Sequence, residues 1–228
     1  MESIKEIRTH IESVQQTLKI TNAMYLISSS KLRKARQQLT NIQPYFTKTK
    51  QTISDILHRT EDVDHVYFDR RPGKPHNVGY IIITGDKGLA GAYNHNVLRL
   101  AEEHMKQFDK TTLFLIGQVG RSYFRHKGVP IDVEFMYTAQ DPTAYRAREI
   151  AELFVEHFRK GRLDEVYVVY TEMVTSMTLE PRIIKLLPLD RDAFPWTPRP
   201  RADGGVRREV SYMPSPLRVL NHIVPGYL

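Results

Sequence analysis

IKEIRTHIESVQQTLKITNAMYLISSSKLRKARQQLTNIQPYFTKTKQTISDI, residues 4–56, carries one pattern without a break in step. Alternate steps of three and four from Ile4 reach Ile7, Ile11, Val14, Leu18, Thr21, Tyr25, Ser28, Leu32, Ala35, Leu39, Ile42, Phe46, Thr49, Ile53 and Ile56. This is a heptad seam. The intervening residues are mostly charged or polar, so the stripe is narrow and suits a helical partner rather than a broad core. At about 1.5 Å per residue the helix would be about 80 Å long and is expected to project. Thr21, Ser28 and Ala35 allow close approach of a partner but weaken the pairing. Pro44 removes a backbone hydrogen bond and crowds the preceding turn, which predicts a kink or break near Gln43. The competing reading is an amphipathic helix lying on its own domain.

A chain of 228 residues admits one or two domains with a sizeable core. It has no cysteine, which excludes disulfides and thiol catalysis and fits a reducing compartment. No apolar run is long enough to cross a bilayer, and the N-terminus resembles neither a signal peptide nor a transit sequence, so the mature protein is expected to start at Met1. The net charge is +7 and unevenly spread: residues 1–60 hold ten Lys and Arg against four acidic residues. Such a helix suits an acidic partner: nucleic acid, an anionic membrane or acidic protein loops. Most of these charges individually serve to solvate a helix face. Lys31, Arg33, Lys34 and Arg36 crowd four cations into six residues and mark an expected contact.

Residues 60–77 read as a linker, acidic at Glu61, Asp62 and Asp64, then basic and rich in Pro and Gly. The period then changes. Strands are expected at Val78–Thr84, Thr112–Ile116, Ile131–Tyr137 and Glu165–Thr171, with an edge strand within Met177–Leu189. Helices are expected at Val97–Phe108, Gln118–His126 and Thr143–Arg159. The fold class is α/β, a long N-terminal coiled-coil helix plus an open Rossmann-like α/β domain. The expected organisation is a shaft helix over 1–59, a linker over 60–77, the α/β domain over 78–190, and over 191–228 a Pro-rich loop and the start of a C-terminal helix. In that tail Pro195, Pro198, Pro200, Pro214, Pro216 and Pro225 surround Asp203-Gly204-Gly205, and a surface loop is expected. Trp196 reads as a packing anchor.

The loop after the first strand contains Gly85, Asp86, Gly88, Gly91 and Asn94. Its G-x-x-G-x-x-G spacing matches neither the dinucleotide fingerprint nor the P-loop, and no acidic residue closes the second strand to hold a ribose. Glycines providing positive φ and close helix-to-strand packing are the favoured reading. Nine histidines are scattered without metal-ligand spacing, and no serine has a recognisable base. No catalytic, metal or cofactor site is therefore expected.

Several motifs, in order, carry a resemblance over essentially the whole chain. They are Ile4–Arg8, Ser13–Thr17, Lys19–Met24 and Ser30–Ala35; Gly85–Asn94, where the pattern is S-D-R-G-L-C-G-x-[FY]-N; Gly161–Asp164; Pro181 with Leu186–Leu189; and Tyr212–Pro216. Together they resemble the gamma subunit of F-type ATP synthases. The resemblance implies a central-stalk rotor that couples proton or ion flow to ATP synthesis, with catalysis on the surrounding alpha and beta subunits. It implies contacts with that hexamer from Lys19, Met24, Lys31, Arg33, Lys34 and Arg36, and with the epsilon subunit near Tyr212. It also implies a c-ring partner, no nucleic acid and a peripheral place on the membrane; the lack of cysteine and of a transit sequence favours the bacterial cytoplasmic face.

Asn22 stands where the family commonly has Lys, Tyr25 where a smaller residue is frequent, and Gly85 where Ser is usual. The sequence reaches Pro225-Gly226-Tyr227-Leu228 where the family enters its C-terminal helix. The seam is thus expected to lack an intramolecular partner, and at roughly 1.5 to 3 kcal/mol per large apolar side chain it should not stay bare. A truncated longer chain, or a relative pairing with another helix such as a second copy, is expected. Two other classes stay open: a Rossmann-like nucleotide-binding enzyme with a coiled-coil tether, and a basic-helix nucleic-acid binder, which lacks aromatic interleaving.

Overall fold

Sixteen turns' worth of seam condense into one helix, α1, Ile4–Arg59, in the structure, a computed structural model that describes residues 3–60, 65–69, 71, 73, 77–135, 142–175, 177–196 and 211–228. Ser3 caps its start, accepting at Oγ from Glu6 N while Glu6 Oε2 accepts from Ser3 N, a reciprocal capping box. The expected break near Gln43 does not occur. One missing bond in so long a helix leaves the turns on either side hydrogen-bonded, and Thr40, whose carbonyl loses its donor at Pro44, is exposed to water. The chain divides into two compact units, Met1–Thr49 and Lys50–Leu228.

In the second unit, β1 (Val78–Ile83), β2 (Thr111–Ile116), β3 (Ile131–Phe135), β4 (Glu165–Met173) and β5 (Leu179–Leu187) form one sheet in the order β3-β2-β1-β4-β5. The first four are parallel and β5 runs antiparallel on β4, with Tyr80 opposite Leu113 and Tyr167. Helices α2 (Tyr93–Met105), α3 (Gln118–His126) and α4 (Ala144–Arg159) connect the parallel strands, and α5 (Pro216–Tyr227) follows.

Alternation along the strands builds a core on each face. Val78, Tyr80, Ile82, Leu113, Leu115 and Val169 pack with Val97, Leu98, Ala101 and Phe124 of α2 and α3. Ile81, Phe114, Ile116 and Val166 pack with Phe154, Val155 and Phe158 of α4, Leu220 and Val224 of α5, and Ile53 and Ile56 from the last turns of α1. Ser54 donates to the Pro195 carbonyl at 2.9 Å, and Trp196 lies against His58 and under the Arg59 guanidinium, the anchoring role expected of it.

Pro225, expected in a loop, lies inside α5. Ser215 caps that helix by accepting from Arg218 N, and Pro216 occupies the first turn, where a missing N–H costs nothing. Leu220 and Val224 then bury the face that keeps the helix going past Pro225. Residues 61–64, 70, 72 and 74–76 of the expected 60–77 linker, the last two residues of the expected third strand, Pro198, Pro200 and Asp203–Gly205 lie outside the described residues.

Candidate functional site

Two surfaces deserve comparison as sites: the first 46 residues of α1 and the loop after β1. On α1 the seam is open to water. Ile7 is 46 %, Ile11 51 %, Leu18 59 % and Leu32 46 % exposed. A second set of apolar side chains, Ile20, Met24 and Ile27, is equally exposed. At about 100° per residue these three fall on the side opposite Leu18 and Tyr25, so between residues 18 and 27 the helix is apolar on two faces. The sequence held that signal in the spacing of residues 20, 24 and 27, but the heptad seam masked it.

The basic cluster does not act as one patch. All four cations are exposed. Arg33 and Arg36 border a shallow concavity of about 360 Å³ with Ser29, Leu32, Gln37 and Thr40, beside the seam residue Leu32. Lys31 and Lys34, three apart, share a different side. Lys19 is exposed, five residues before Met24 and on a different side of the helix from it. The structure therefore brings Arg33 and Arg36 together and keeps Lys31 and Lys34 apart from them.

The β1 loop is built to hold itself. Gly85 N donates to Asn94 Oδ1 at 2.8 Å, and Gln118 N donates to Asp86 Oδ1 at 3.0 Å. Val119 N donates to the Gly85 carbonyl and Gly120 N to Thr84 Oγ1. The first three N–H groups of α3 are thus occupied by the chain's own atoms, one by a carboxylate. That argues against phosphate binding there. Gly91 has φ +55°, as expected; Gly88 needs neither positive φ nor close approach. The tightest glycine is Gly117, overlooked in the sequence: φ is +98°, and a Cβ there would sit 2.1 Å from the Thr84 carbonyl oxygen. At the loop's apex Leu89 has φ +59° and is 99 % exposed, a strained conformation for a leucine. Tyr212 lies partly buried against the core on the α4–α5 side.

No group of three His, Cys, Asp or Glu among the described residues is placed to hold a metal ion, and no described helix is long and apolar enough to cross a membrane. A helix with two exposed apolar faces presents a surface for partners, and comparison with known proteins identifies the family. The family model described as ATP synthase matches residues 3–228. The ATP synthase gamma chain of Ruminiclostridium cellulolyticum is 43% identical over 99% of this chain and 77% of its own length.

The chain belongs to the ATP synthase gamma family.

The gamma chain of Acetobacterium woodii described as sodium ion specific is 34% identical, covering 100% of this chain and 78% of its own. Among solved structures, the Tetrahymena thermophila mitochondrial ATP synthase central stalk and c-ring contains a chain with TM-score 0.63 at 19% identity, covering 91% of this chain and 87% of that one; this likeness concerns the fold. The family resemblance read from the motifs is thus confirmed, and with it the role of central rotor subunit in ATP synthesis. As a gamma-family chain it is part of a membrane-associated complex.

Proposed function

We propose that α1 serves as the rotor's shaft, with its two apolar faces divided between two kinds of partner. The observation that supports this is the exposed stripe Ile20, Met24 and Ile27 opposite the seam at Leu18 and Tyr25. The seam pairs with a second helix, and the opposite stripe bears on the alpha/beta hexamer, with Lys19 on the flank between the two faces. Lys31, Arg33, Lys34 and Arg36 act further along the shaft against acidic loops of the beta subunits. Because they point to different sides of the helix, successive loops meet cations through a full rotation. The α/β unit connects to epsilon beside Tyr212 and to the c-ring, on the cytoplasmic face of the membrane. The loop Gly85, Asp86, Gly88, Gly91 and Asn94 has a structural role, joining β1 to α2 and pinning α3.

The test uses the purified enzyme assembled with this chain. Ile20→Ser, Met24→Ser and Ile27→Ser together should reduce recovery of the alpha/beta hexamer with the chain. Reversing all four cations should leave the hexamer bound at high salt but slow coupled turnover. Unchanged recovery and unchanged rates would sink the reading.

A further inference from the structure

A cleft of about 580 Å³ opens between α4 and α5. Its apolar part is Tyr67, Val155 and Pro225, the first two buried. Arg148, Glu152, Glu156, Arg159 and Lys160 line it from α4, and Asn221 and His222 from α5. The two carboxylates are already engaged along α4: Arg148 Nε lies 3.4 Å from Glu152 Oε1, and Lys160 pairs with Glu156. That leaves Arg159, exposed and without a carboxylate partner among the described residues, as the net charge of the rim. A cation in the last turn of a helix is favourable for the helix itself. Arg159 lines the cleft together with the apolar Tyr67, Val155 and Pro225, and Asn221 and His222 line it from α5.

We propose that this cleft receives an acidic, apolar segment of another subunit, anchored by a carboxylate on Arg159. The charge complementarity is specific. A guanidinium binds a carboxylate through two parallel N–H···O bonds, and arginines beside aromatic and apolar floors are frequent anchors of interfaces. The volume is several side chains' worth, and the cleft runs between two helices, which suits a stretch of polypeptide. Asn221 and His222 can hold the segment's backbone from the opposite wall. The inference rests on the chain's assembly into a multisubunit enzyme and goes beyond it, because nothing in the shaft reading requires this cleft.

The experiment places the photocrosslinker benzoylphenylalanine at position 221 in the assembled enzyme and maps the cross-linked peptide by mass spectrometry. The expected result is one segment with Asp or Glu next to apolar residues. Arg159→Glu should lower the yield by about tenfold or more. Arg99→Glu, the same charge change on α2, should leave it unaltered, and thermal unfolding of both variants shows that the fold is kept. Absence of a cross-link, a segment without a carboxylate, or a yield insensitive to Arg159→Glu would each overturn the proposal. If the chain purifies without alpha and beta subunits, the rotor reading fails by itself, and the cleft is judged by the same cross-link in whatever complex forms. A chain that elutes alone overturns both.

Discussion

His104 and the Tyr80 hydroxyl meet at 2.6 Å through the imidazole Nδ1, under α2 and against the sheet. Tyr80 is fully buried and stacks on Tyr167 at 5.7 Å between centroids. Burial, aided by Glu165, pushes the Tyr80 hydroxyl far above the usual phenol range, so it keeps its proton and can donate to a neutral ring. Burial likewise holds His104 below its ordinary value of 6.5; Glu165 on β4 opposes that shift and Lys185 on β5 reinforces it. The sign follows from proton binding. With the folded pKa depressed, the unfolded chain binds the proton more readily, so this contribution is fully present above the unfolded value near 6.5 and is lost as pH falls from there through the lower folded value. Urea unfolding should therefore show lower stability at about pH 5.5 than at about pH 7.5. His104→Asn, which retains an acceptor oxygen but cannot titrate, should lose less over the same interval. An identical pH dependence in both proteins would refute the assignment to His104.

Elements here are joined by polar clamps as much as by apolar faces. Arg71, in the lead-in to β1, donates to the carbonyls of Phe158 and Leu163 and to Asp164 Oδ1, and its guanidinium lies over the Phe158 ring. Asp164 Oδ2 also accepts from Asn77 N, one residue before β1. The clamp satisfies the carbonyls at the end of α4 and fixes where β4 begins beside β1. Arg71→Ala should cost about 2 kcal/mol, discounted for the partial exposure of the pair, and Arg71→Lys should recover only part of it. Equilibrium denaturation measures both; a loss within error for Arg71→Ala would show the clamp to be incidental. Such a contact was illegible in the sequence because it joins residues about ninety apart through main-chain oxygens. By contrast, β1, β2 and β4 were legible because their burial on both faces leaves short β-branched runs, and α1 because a seam repeats fifteen times. Pro44 and Pro225 misled for one reason: a local breaker costs a fixed amount, while the length of α1 and the buried face of α5 oppose it. In the proposed contact surface, charge density marks residues 31–36 as a cluster in the sequence, but the side each cation takes, and the second stripe at 20–27, needed the helix drawn as a solid.

Across the whole molecule, the two units are stabilised by different means, and this bears on the shaft reading. The second unit buries Val78, Tyr80, Ile82 and Leu113 completely, so their amides can open only when the sheet does. Residues 4–49 have almost no buried side chains, and their helix rests on backbone bonds, caps and hydroxyl contacts such as Thr21 Oγ1 to the Thr17 carbonyl. Helices supported in this way are marginal in water and open locally. In the isolated chain at low concentration, amides of residues 4–49 should exchange at least about a hundredfold faster than those of β1 and β2. Incorporation into ATP synthase should slow residues 18–27 the most, since a helix enclosed on two faces must be released from both partners before it can open. Protection that rises with chain concentration instead would mean that the seam pairs with a second copy. Slow exchange of 4–49 at all concentrations in the isolated chain would remove the argument that this helix is stabilised by its partners, and with it the structural basis for the shaft.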